Sequence, residues 1–413
     1  MHRSLFICLL LLSGACDNRA NVQCEQSSNC DLGAGGMCQR APTGNQWCSY
    51  PDSGCPSGYR YSNQATGDGL SGSCVETSET PEVDAGVTRS DSGVDGQSTP
   101  TAALSCAALA STCGANGNDS CCNSPEVPGG TYYRGYDLAG DSNSGDTNFP
   151  ATVSTFRLDK YEVTVGRFRA FVESGMGTQA NPPLAGTGAH PNLPDSGWDA
   201  NWNASLPADT AGLVAALKKS AFPQQVIATW TDVRGDNENR PVNLVSWYVA
   251  MAFCVWDQGY LPTEAEWNYA AAGGNQQRAY PWSVPAKSTS IDAMHASYYD
   301  QQNCTGDGAP GCVLADFALV GTKPLGDGRW GQSDLAGNVE EWTLDWTPAA
   351  ARTFPTPCTD CANLDSTQTN KVHRGGGFNT AVAELRTGSR RISGIGPDAR
   401  FDVTGFRCAR NAL

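Results

Sequence analysis

Residues 240–274 read RPVNLVSWYVAMAFCVWDQGYLPTEAEWNYAAAGG, and no other stretch says as much about the architecture. The segment 247–256 is apolar all round, and a helix of that kind must be buried on every side. Ser246 precedes it as a helix-starting residue. Thr263 and Glu266 have the spacing of a capping box, in which each side chain satisfies a backbone donor at a helix start. The stretch therefore predicts two consecutive helices, the first of them buried.

Acidic residues in the first turn of the second helix are favoured by the helix dipole. We therefore interpret Glu264 and Glu266 as residues that stabilise the start of the helix rather than as a catalytic acid/base pair. Upstream, apolar and polar residues alternate in 127–135 and 151–165, which predicts strands. Thr164 is placed to cap a short helix. Residues 175–239 are rich in Pro, Gly and Asn, with one helix expected at about 208–219. We interpret this region as a surface excursion.

Three later segments complete a pattern with the opening stretch: DLAGNVEEWTLDW at 334–346, HRGGGFN at 373–379 and GFRCAR at 405–410. Together, in this order, the four motifs resemble the formylglycine-generating-enzyme, or sulfatase-modifying-factor, family. The resemblance runs from about residue 127 to the C-terminus. It implies an α+β fold that is irregular, loop-rich and C-type-lectin-like.

The composition agrees with such a domain. Of 413 residues, 46 are glycine, 11 are tryptophan and only 17% are charged, which indicates irregular structure anchored by aromatic side chains. The length suffices for one large domain with smaller modules. The net charge of −15 argues against nucleic acid or an anionic membrane surface as a partner, because both demand a basic surface.

The N-terminus, MHRSLFICLLLLSGAC, has a basic start, a short apolar run and small residues before a cysteine. Residues 1–15 are therefore predicted to be a bacterial signal peptide, too short to span a bilayer. Lipoprotein processing would acylate Cys16, and the alternative is an ordinary cleaved signal. The first interpretation predicts an exported cell-envelope lipoprotein, anchored to a membrane in the periplasm or at the cell surface.

Cysteine usage also indicates export. Without Cys8 and Cys16, sixteen of the 18 cysteines remain, an even number suited to disulfides. Residues 16–75 form a predicted disulfide module, and zinc is disfavoured there because histidine and CxxC spacing are lacking. Further along the chain we predict an acidic flexible linker, a small cysteine knot and the family-like domain, at 76–105, 106–126 and 127–413.

The resemblance implies a disulfide between Cys254 and Cys408. Cys304 with Cys312, and Cys358 with Cys361, are interpreted as local loop staples. The CTDC spacing at 358–361 also allows a redox pair or half of a metal site. Adjacent Cys121 and Cys122 are expected to pair with different partners, since a bond between neighbours strains the peptide.

The segment 334–342 matches the calcium loop of the family. The resemblance implies that Asp334 and Glu341 offer carboxylates and that Gly337 and Val339 offer backbone carbonyls, which are the oxygen ligands that Ca²⁺ prefers. The alternative is a tight turn with acids facing water. The second calcium site of the family is disfavoured, because its asparagine is replaced around Ser297.

Residues 374–378, RGGGF, correspond to the floor of the family's substrate groove, and we call them the RGG turn. In the enzymes, two cysteines after this turn hold copper(I) and oxidise a substrate cysteine to formylglycine. Here those positions are Thr380 and Leu385, a weak hard ligand and no ligand. Copper and oxidase chemistry are therefore expected to be lost. The predicted groove residues are Arg374, Gly375, Gly376, Gly377, Phe378, Arg386 and Arg390.

These observations leave three hypotheses open. The first is a calcium-stabilised, non-catalytic module that binds a peptide, a protein or a glycan through the groove. The second is an oxidase of the formylglycine-generating type with relocated residues, in which Arg386, Arg390 and Arg391 hold the substrate. The third is a structural cell-surface scaffold whose cysteine module does the recognising.

Overall fold

The computed structural model describes residues 37–40, 46–51, 59–61, 73–75, 103–140, 147–221, 226–347, 354–390 and 395–412. The chain divides into two compact units, Met1–Asp95 and Gly96–Leu413. The predicted signal peptide, Cys16 and the linker up to residue 102 lie outside the described residues. None of the helices in the described ranges has the length and apolar character needed to cross a membrane.

The first unit contains a small antiparallel sheet. Its strands are β1 (Met37–Arg40), β2 (Gln46–Pro51) and β3 (Tyr59–Tyr61), with β2 in the middle. Cys48 and Cys74 are both disulfide-bonded, and Cys48 is buried. Disulfides therefore staple this module, as its composition predicts.

The second unit holds the remaining regular elements in the described ranges. Its helices are α1 (Val165–Glu173), α2 (Thr210–Ala216), α3 (Trp247–Trp256) and α4 (Glu264–Ala271). Its strands are β4 (Glu126–Val127), β5 (Gly130–Tyr133), β6 (Pro150–Val153), β7 (Phe156–Leu158), β8 (Glu340–Thr347), β9 (Asn370–Arg374), β10 (Thr404–Gly405) and β11 (Ala409–Asn411). Short 3₁₀ turns include Leu104–Cys106, Pro194–Ser196, Ala200–Ser205, Gly274–Gln276, Leu314–Asp316, Pro324–Gly326 and Val382–Leu385.

Small sheets bring distant parts of the chain together. The long strand β8 is buried along its whole length and lies between β9, which is antiparallel, and β10, which is parallel. β7 lies between β4 and the last strand, β11, while β5 pairs with β6. The unit is therefore irregular α+β, as predicted, and β9 leads directly into the RGG turn.

Side-chain caps begin all four α-helices described in the second unit: Asp209 caps α2, and the other three caps are those predicted. Thr164 accepts from the backbone of Arg167, and Ser246 accepts from the backbone of Val249. Thr263 and Glu266 form the complete capping box of α4. All but the last two residues of α3 are buried, so its uniformly apolar sequence is explained by packing on every side.

The interpretation of 175–239 as a surface excursion is wrong for its tryptophans. Trp198 and Trp230 are buried and belong to the same apolar core as α3. The rings of Trp198 and Trp202 meet edge to face at 5.5 Å, and those of Trp202 and Trp247 at 5.1 Å. Aromatic burial therefore ties the excursion to α3, although its composition is typical of loops.

The cysteine knot belongs to the second unit rather than forming a module of its own. Cys106 pairs with Cys122, and Cys113 with Cys121, so the adjacent cysteines have different partners as predicted. The predicted linker also extends too far. The backbone N–H of Ser105 donates to the carboxylate of Asp257, which lies immediately after α3.

The other disulfides match the pairings suggested by the sequence. Cys254 on α3 is bonded to Cys408, across a sequence separation of 154 residues. Cys304 is bonded to Cys312, and Cys358 to Cys361. All ten cysteines of the second unit are therefore in disulfides, and none is available as a thiolate ligand while these bonds are intact.

Candidate functional site

The predicted calcium loop is a tight turn immediately before β8. Asp334 and Asn338 have φ angles of 59° and 64°, and Gly337 has a φ of 87°. A β-carbon on Gly337 would lie 2.2 Å from the carbonyl oxygen of Ser297, so only glycine fits there. The Ser297 hydroxyl donates to the carbonyl of Asp316 at 2.5 Å. The Ser297 hydroxyl is therefore engaged by the protein itself.

Buried acids cluster beside this turn in excess of their basic partner. Glu162, Asp334 and Glu341 are all buried, and Arg407 is the basic residue among them. Burial raises the pKa of Asp334 to about 6, with smaller contributions from neighbouring carboxylates. Burial and the charges of Asp334 and Glu341 also hold the pKa of Glu162 well above its ordinary value. The cluster is short of positive charge, which is the condition that a divalent cation would relieve.

Most acceptor positions of Glu341, one of the predicted calcium ligands, are already occupied by hydrogen bonds. It accepts from Arg407 Nη2 at 2.6 Å, from Arg407 Nε at 2.7 Å and from Trp267 Nε1 at 2.8 Å. A carboxylate has about four acceptor positions, so one remains. Buried Asn338 Oδ1 has no hydrogen-bond partner and points to an additional ligand. The described residues contain no group of three acid, His or Cys side chains placed to hold a metal, so calcium would depend on carbonyls as well.

Arg374 of the RGG turn is an internal ion-pair residue. Its Nη2 lies 2.7 Å from Glu264 Oε1, and its Nη1 donates to the carbonyl of Ser389 at 2.6 Å. Arg390 contacts both oxygens of Glu264, at 2.6 and 2.8 Å. Burial acts to raise the pKa of Glu264, but Arg390 and Arg374 outweigh it and hold that pKa below its ordinary value. The prediction that Arg374 and Arg390 face a ligand is therefore corrected, because both neutralise a buried carboxylate.

The other groove side chains are also internal. Phe378 is buried against Phe317, with ring centroids 4.2 Å apart. Arg386 is buried and pairs with Asp137 at 3.1 Å. The predicted partner Arg391 lies outside the described residues. The RGG turn thus supports the structure from inside, and the glycine-lined floor expected from the sequence is covered by packing.

Thr380 and Leu385, at the family's cysteine positions, meet at one glycine. Gly375 and Gly376 have φ angles of 94° and 68°. A β-carbon on Gly376 would lie 2.7 Å from Leu385 Cδ2 and 2.9 Å from Thr380 Cγ2. The hydroxyl of Thr380 accepts from the backbone N–H of Gly377 at 2.9 Å. The fold therefore still brings these two positions together, but they now hold a packing pair.

Replacement of Gly376 by alanine is expected to lower the free energy of unfolding by about 1–3 kcal/mol more than Gly331→Ala does. Both glycines have positive φ, so both variants carry a backbone strain of about 1–2 kcal/mol. Gly331 has no atom within 4 Å of an added β-carbon, whereas Gly376 meets Thr380 and Leu385. Urea unfolding of the two variants checks this, and equal losses would show that the turn is loosely packed.

An aromatic patch surrounds Leu385, and the motif analysis did not find it. Leu385 packs with buried Tyr280 and Tyr298, and partly exposed Trp282, Ile291 and Val382 cover them. The rings of Tyr280 and Trp282 are stacked, with centroids 4.9 Å apart and an angle of 6°. We call Tyr280, Trp282, Tyr298 and Val382 the aromatic patch. The YPW sequence at 280–282 was the available signal, but nothing local to it indicates that it lies beside residue 385.

The two described core histidines have carboxylate partners. His190 Nε2 lies 3.2 Å from Glu266 Oε1, and its Nδ1 accepts from the backbone of Asn192 at 3.1 Å. His373 Nδ1 lies 2.7 Å from Glu340 Oε2. Both histidines are buried. Their ring nitrogens are therefore occupied by contacts within the core.

A polar cavity of about 330 Å³ lies away from the RGG turn, where the cysteine knot meets the main domain. Its lining includes Asp119, Lys160 and Tyr161. Lys160 donates to Asp119 at 2.9 Å and Tyr161 donates to it at 2.8 Å. The polar groups of this cavity are therefore largely paired with one another.

The fold and the turn together define the class of this protein: an α+β domain of the C-type-lectin-like type, with a glycine turn flanked by two non-cysteine side chains. Residues 112–412 match the family described as sulfatase-modifying factor enzyme 1-like domain. The chain belongs to this family.

The relatives of this chain include a protein named as the enzyme and a protein named as inactive. The chain is 29% identical over 310 residues to the formylglycine-generating enzyme of Thermomonospora curvata, covering 70% of this chain and 93% of that protein. It is 29% identical to the inactive C-alpha-formylglycine-generating enzyme 2 of Bos taurus, covering 72% and 90%. PvdO from Pseudomonas aeruginosa superposes with a TM-score of 0.45 at 18% identity, covering 70% and 93%.

Proposed function

We propose that this protein is an exported, non-catalytic member of its family that binds a peptide or glycan on another molecule. The observation that carries the proposal is the pair Thr380 and Leu385, which fills the family's copper-ligand positions. Copper(I) prefers soft thiolates, and neither a hydroxyl nor an aliphatic group replaces them. The existence of a relative named inactive supports this proposal.

Ligand binding is proposed at the partly exposed members of the aromatic patch, Trp282 and Val382, rather than through the RGG arginines. Tyr280 and Tyr298 are buried and support these two side chains from within. Leu385, which we assign to one of the family's cysteine positions, packs with the patch. Aromatic side chains give binding area with little loss of conformational entropy, and they accept both peptide side chains and sugar faces.

Export to an oxidising compartment is part of the same proposal. The five disulfides of the second unit favour such a compartment, since cytosolic proteins rarely keep structural disulfides. Lipid attachment at Cys16 would place the protein at a membrane of the cell envelope. Labelling of cells with palmitate tests this step, with the Cys16→Ser variant as the control. Incorporation of label into the variant would contradict lipid attachment at Cys16.

Copper binding gives the direct test of the lost chemistry. We expect the double variant Thr380→Cys, Leu385→Cys to bind one copper(I) per chain. At the same copper concentrations, the natural protein should bind no stoichiometric copper(I). The double variant supplies two thiolates that the fold already brings together at Gly376. Competition against a chromogenic copper(I) chelator measures both proteins. Stoichiometric copper on the natural protein would overturn the proposal.

Calcium is proposed to stabilise the domain at the turn before β8. Asp334, the carbonyls of Gly337 and Val339, and the remaining acceptor position of Glu341 would hold it, next to Asn338. The ion would supply the positive charge that the buried acids lack.

Addition of calcium to chelator-treated protein is therefore expected to raise the melting temperature. At a free calcium concentration about 100 times the dissociation constant, the free energy of unfolding should increase by about 2.7 kcal/mol. Asp334→Asn should remove most of the shift, whereas Asp236→Asn, at an exposed position, should keep it. Thermal unfolding with and without calcium checks this. An equal shift in both variants would place any bound calcium elsewhere.

A further inference from the structure

We propose that the Cys358–Cys361 disulfide is a thiol–disulfide exchange site that oxidises a pair of cysteine thiols on a partner. This activity is separate from the proposed ligand binding, because it uses neither the aromatic patch nor calcium. The cysteines have the CxxC spacing and are bonded to each other. Cys358 is buried, whereas Cys361 is partly exposed. An incoming thiolate would therefore reach Cys361 more easily.

A fixed positive charge lies against the sulfur of the more exposed cysteine. Arg134 Nη1 is 3.2 Å from Cys361 Sγ. Its Nη2 donates to the carbonyl of Pro355, and its Cζ lies 5.1 Å from the centroid of the Phe354 ring. These contacts hold the guanidinium in place beside the sulfur. A neighbouring arginine lowers the pKa of a cysteine and favours its thiolate.

Among the residues that the structure describes, no carboxylate pairs directly with Arg134. Glu264 and Asp345 act on it electrostatically, but Glu264 is bound to Arg374 and Arg390. Asp345 accepts the backbone N–H groups of Glu264 and Asn363. The Arg134 guanidinium therefore remains directed at Cys361 and at the carbonyl of Pro355.

The loop that carries the cysteines is held independently of their S–S bond. The Asp360 carboxylate accepts from the backbone N–H of Ser154 at 2.6 Å, from its hydroxyl at 2.6 Å and from Asn192 Nδ2 at 2.8 Å. Backbone bonds join Thr152 of β6 to Cys358 and to Asp360 at 3.0 and 2.9 Å. Reduction would thus leave the two thiols close together, which a reversible exchange site requires.

The reaction balances as a two-electron exchange. A partner thiolate attacks Cys361 Sγ, an intermolecular disulfide forms, and Cys358 Sγ leaves and takes a proton. The second partner thiolate then attacks the partner sulfur of that disulfide, and Cys361 leaves as a thiolate beside Arg134. The partner gains a disulfide and loses two electrons and two protons. One proton is taken by Cys358, which becomes a thiol, and the other passes to the solvent, because Cys361 remains a thiolate. Stabilisation of the departing thiolate makes such a pair oxidising, and an external disulfide such as oxidised glutathione restores it.

Redox titration of the whole protein in glutathione buffers tests the proposal, with each disulfide followed by differential alkylation and peptide mass analysis. We expect Cys358–Cys361 to open at a glutathione ratio that leaves Cys304–Cys312 closed. The latter is the matched control, because it is also a local disulfide, and the described residues give it no hydrogen bond from a guanidinium. Arg134→Gln should lower the equilibrium constant for reduction of this disulfide about tenfold, which lowers its reduction potential by about 30 mV. Arg329→Gln, at an exposed position, should leave both unchanged.

A second measurement needs no variant and guards against misfolding of Arg134→Gln. In the selectively reduced natural protein, iodoacetamide should alkylate Cys361 faster than Cys358 near neutral pH, and a reduced two-cysteine peptide should become oxidised when mixed with the disulfide form. The proposal is overturned if Cys358–Cys361 resists reduction as strongly as Cys304–Cys312, or if the two cysteines react at equal rates. Either result would identify the bond as a structural staple, and neither would bear on the copper test.

Discussion

Replacement of Glu264 by glutamine is expected to lower the free energy of unfolding by about 3–5 kcal/mol, because two buried guanidinium groups lose their counter-charge. Glu264, Arg374 and Arg390 are all buried. Glutamine keeps the shape of the side chain, so the loss reports charge rather than a cavity. Urea unfolding at neutral pH measures it.

The control is Glu173→Gln, which removes the charge from an exposed pair. Glu173 lies 2.8 Å from Arg234, and their side chains are 56% and 54% exposed. Such pairs contribute about 0–1 kcal/mol. If Glu264→Gln costs no more than this control, the two buried arginines do not depend on Glu264 for their counter-charge.

The pH dependence of the Glu264 effect follows from the direction of its pKa. That pKa is lower in the folded protein than its ordinary value. The contribution of Glu264 is therefore fully present above the ordinary carboxyl pKa and is lost as the pH falls through the folded value. The difference between the natural protein and Glu264→Gln should narrow only in acid.

Removal of the Cys254–Cys408 bond by a double replacement with alanine is expected to cost about 2–5 kcal/mol. In the loop-closure account, a bond spanning 154 residues constrains the unfolded chain by about 5 kcal/mol. Both cysteines are also fully buried in the core around α3. The loss should appear in thermal and urea unfolding alike.

The matched control removes Cys304–Cys312, which spans only eight residues. The same account gives this bond about 2.5 kcal/mol, so its loss should be roughly half as costly. Equal losses from the two double variants would show that native packing, rather than chain closure, sets the contribution of these disulfides.

Features encoded within a few residues could be predicted from the sequence. The capping box of α4 needs only Thr263 and Glu266, and the burial of α3 follows from its uniformly apolar residues. The family motifs add the fold around these helices. In each case the residues that determine the structure are neighbours along the chain.

Long-range polar contacts could not be predicted in the same way. Glu264 is 110 residues from Arg374 and 126 from Arg390. Each side chain alone has the character of a surface or ligand-binding group, and only their meeting makes them internal. For the same reason Thr380 and Leu385 could be predicted as lost ligands from the motif alone, whereas the aromatic patch beside Leu385 could not.

The most direct test of the account is conversion of a cysteine in a synthetic sulfatase-type peptide to formylglycine. The purified natural protein, supplied with copper(I), oxygen and a reductant, is compared with a formylglycine-generating enzyme under the same conditions, and peptide mass is followed. We expect no conversion, because neither Thr380 nor Leu385 supplies a thiolate for copper(I). Copper- and oxygen-dependent conversion by the natural protein would contradict it and would require ligands other than the two residues at Gly376.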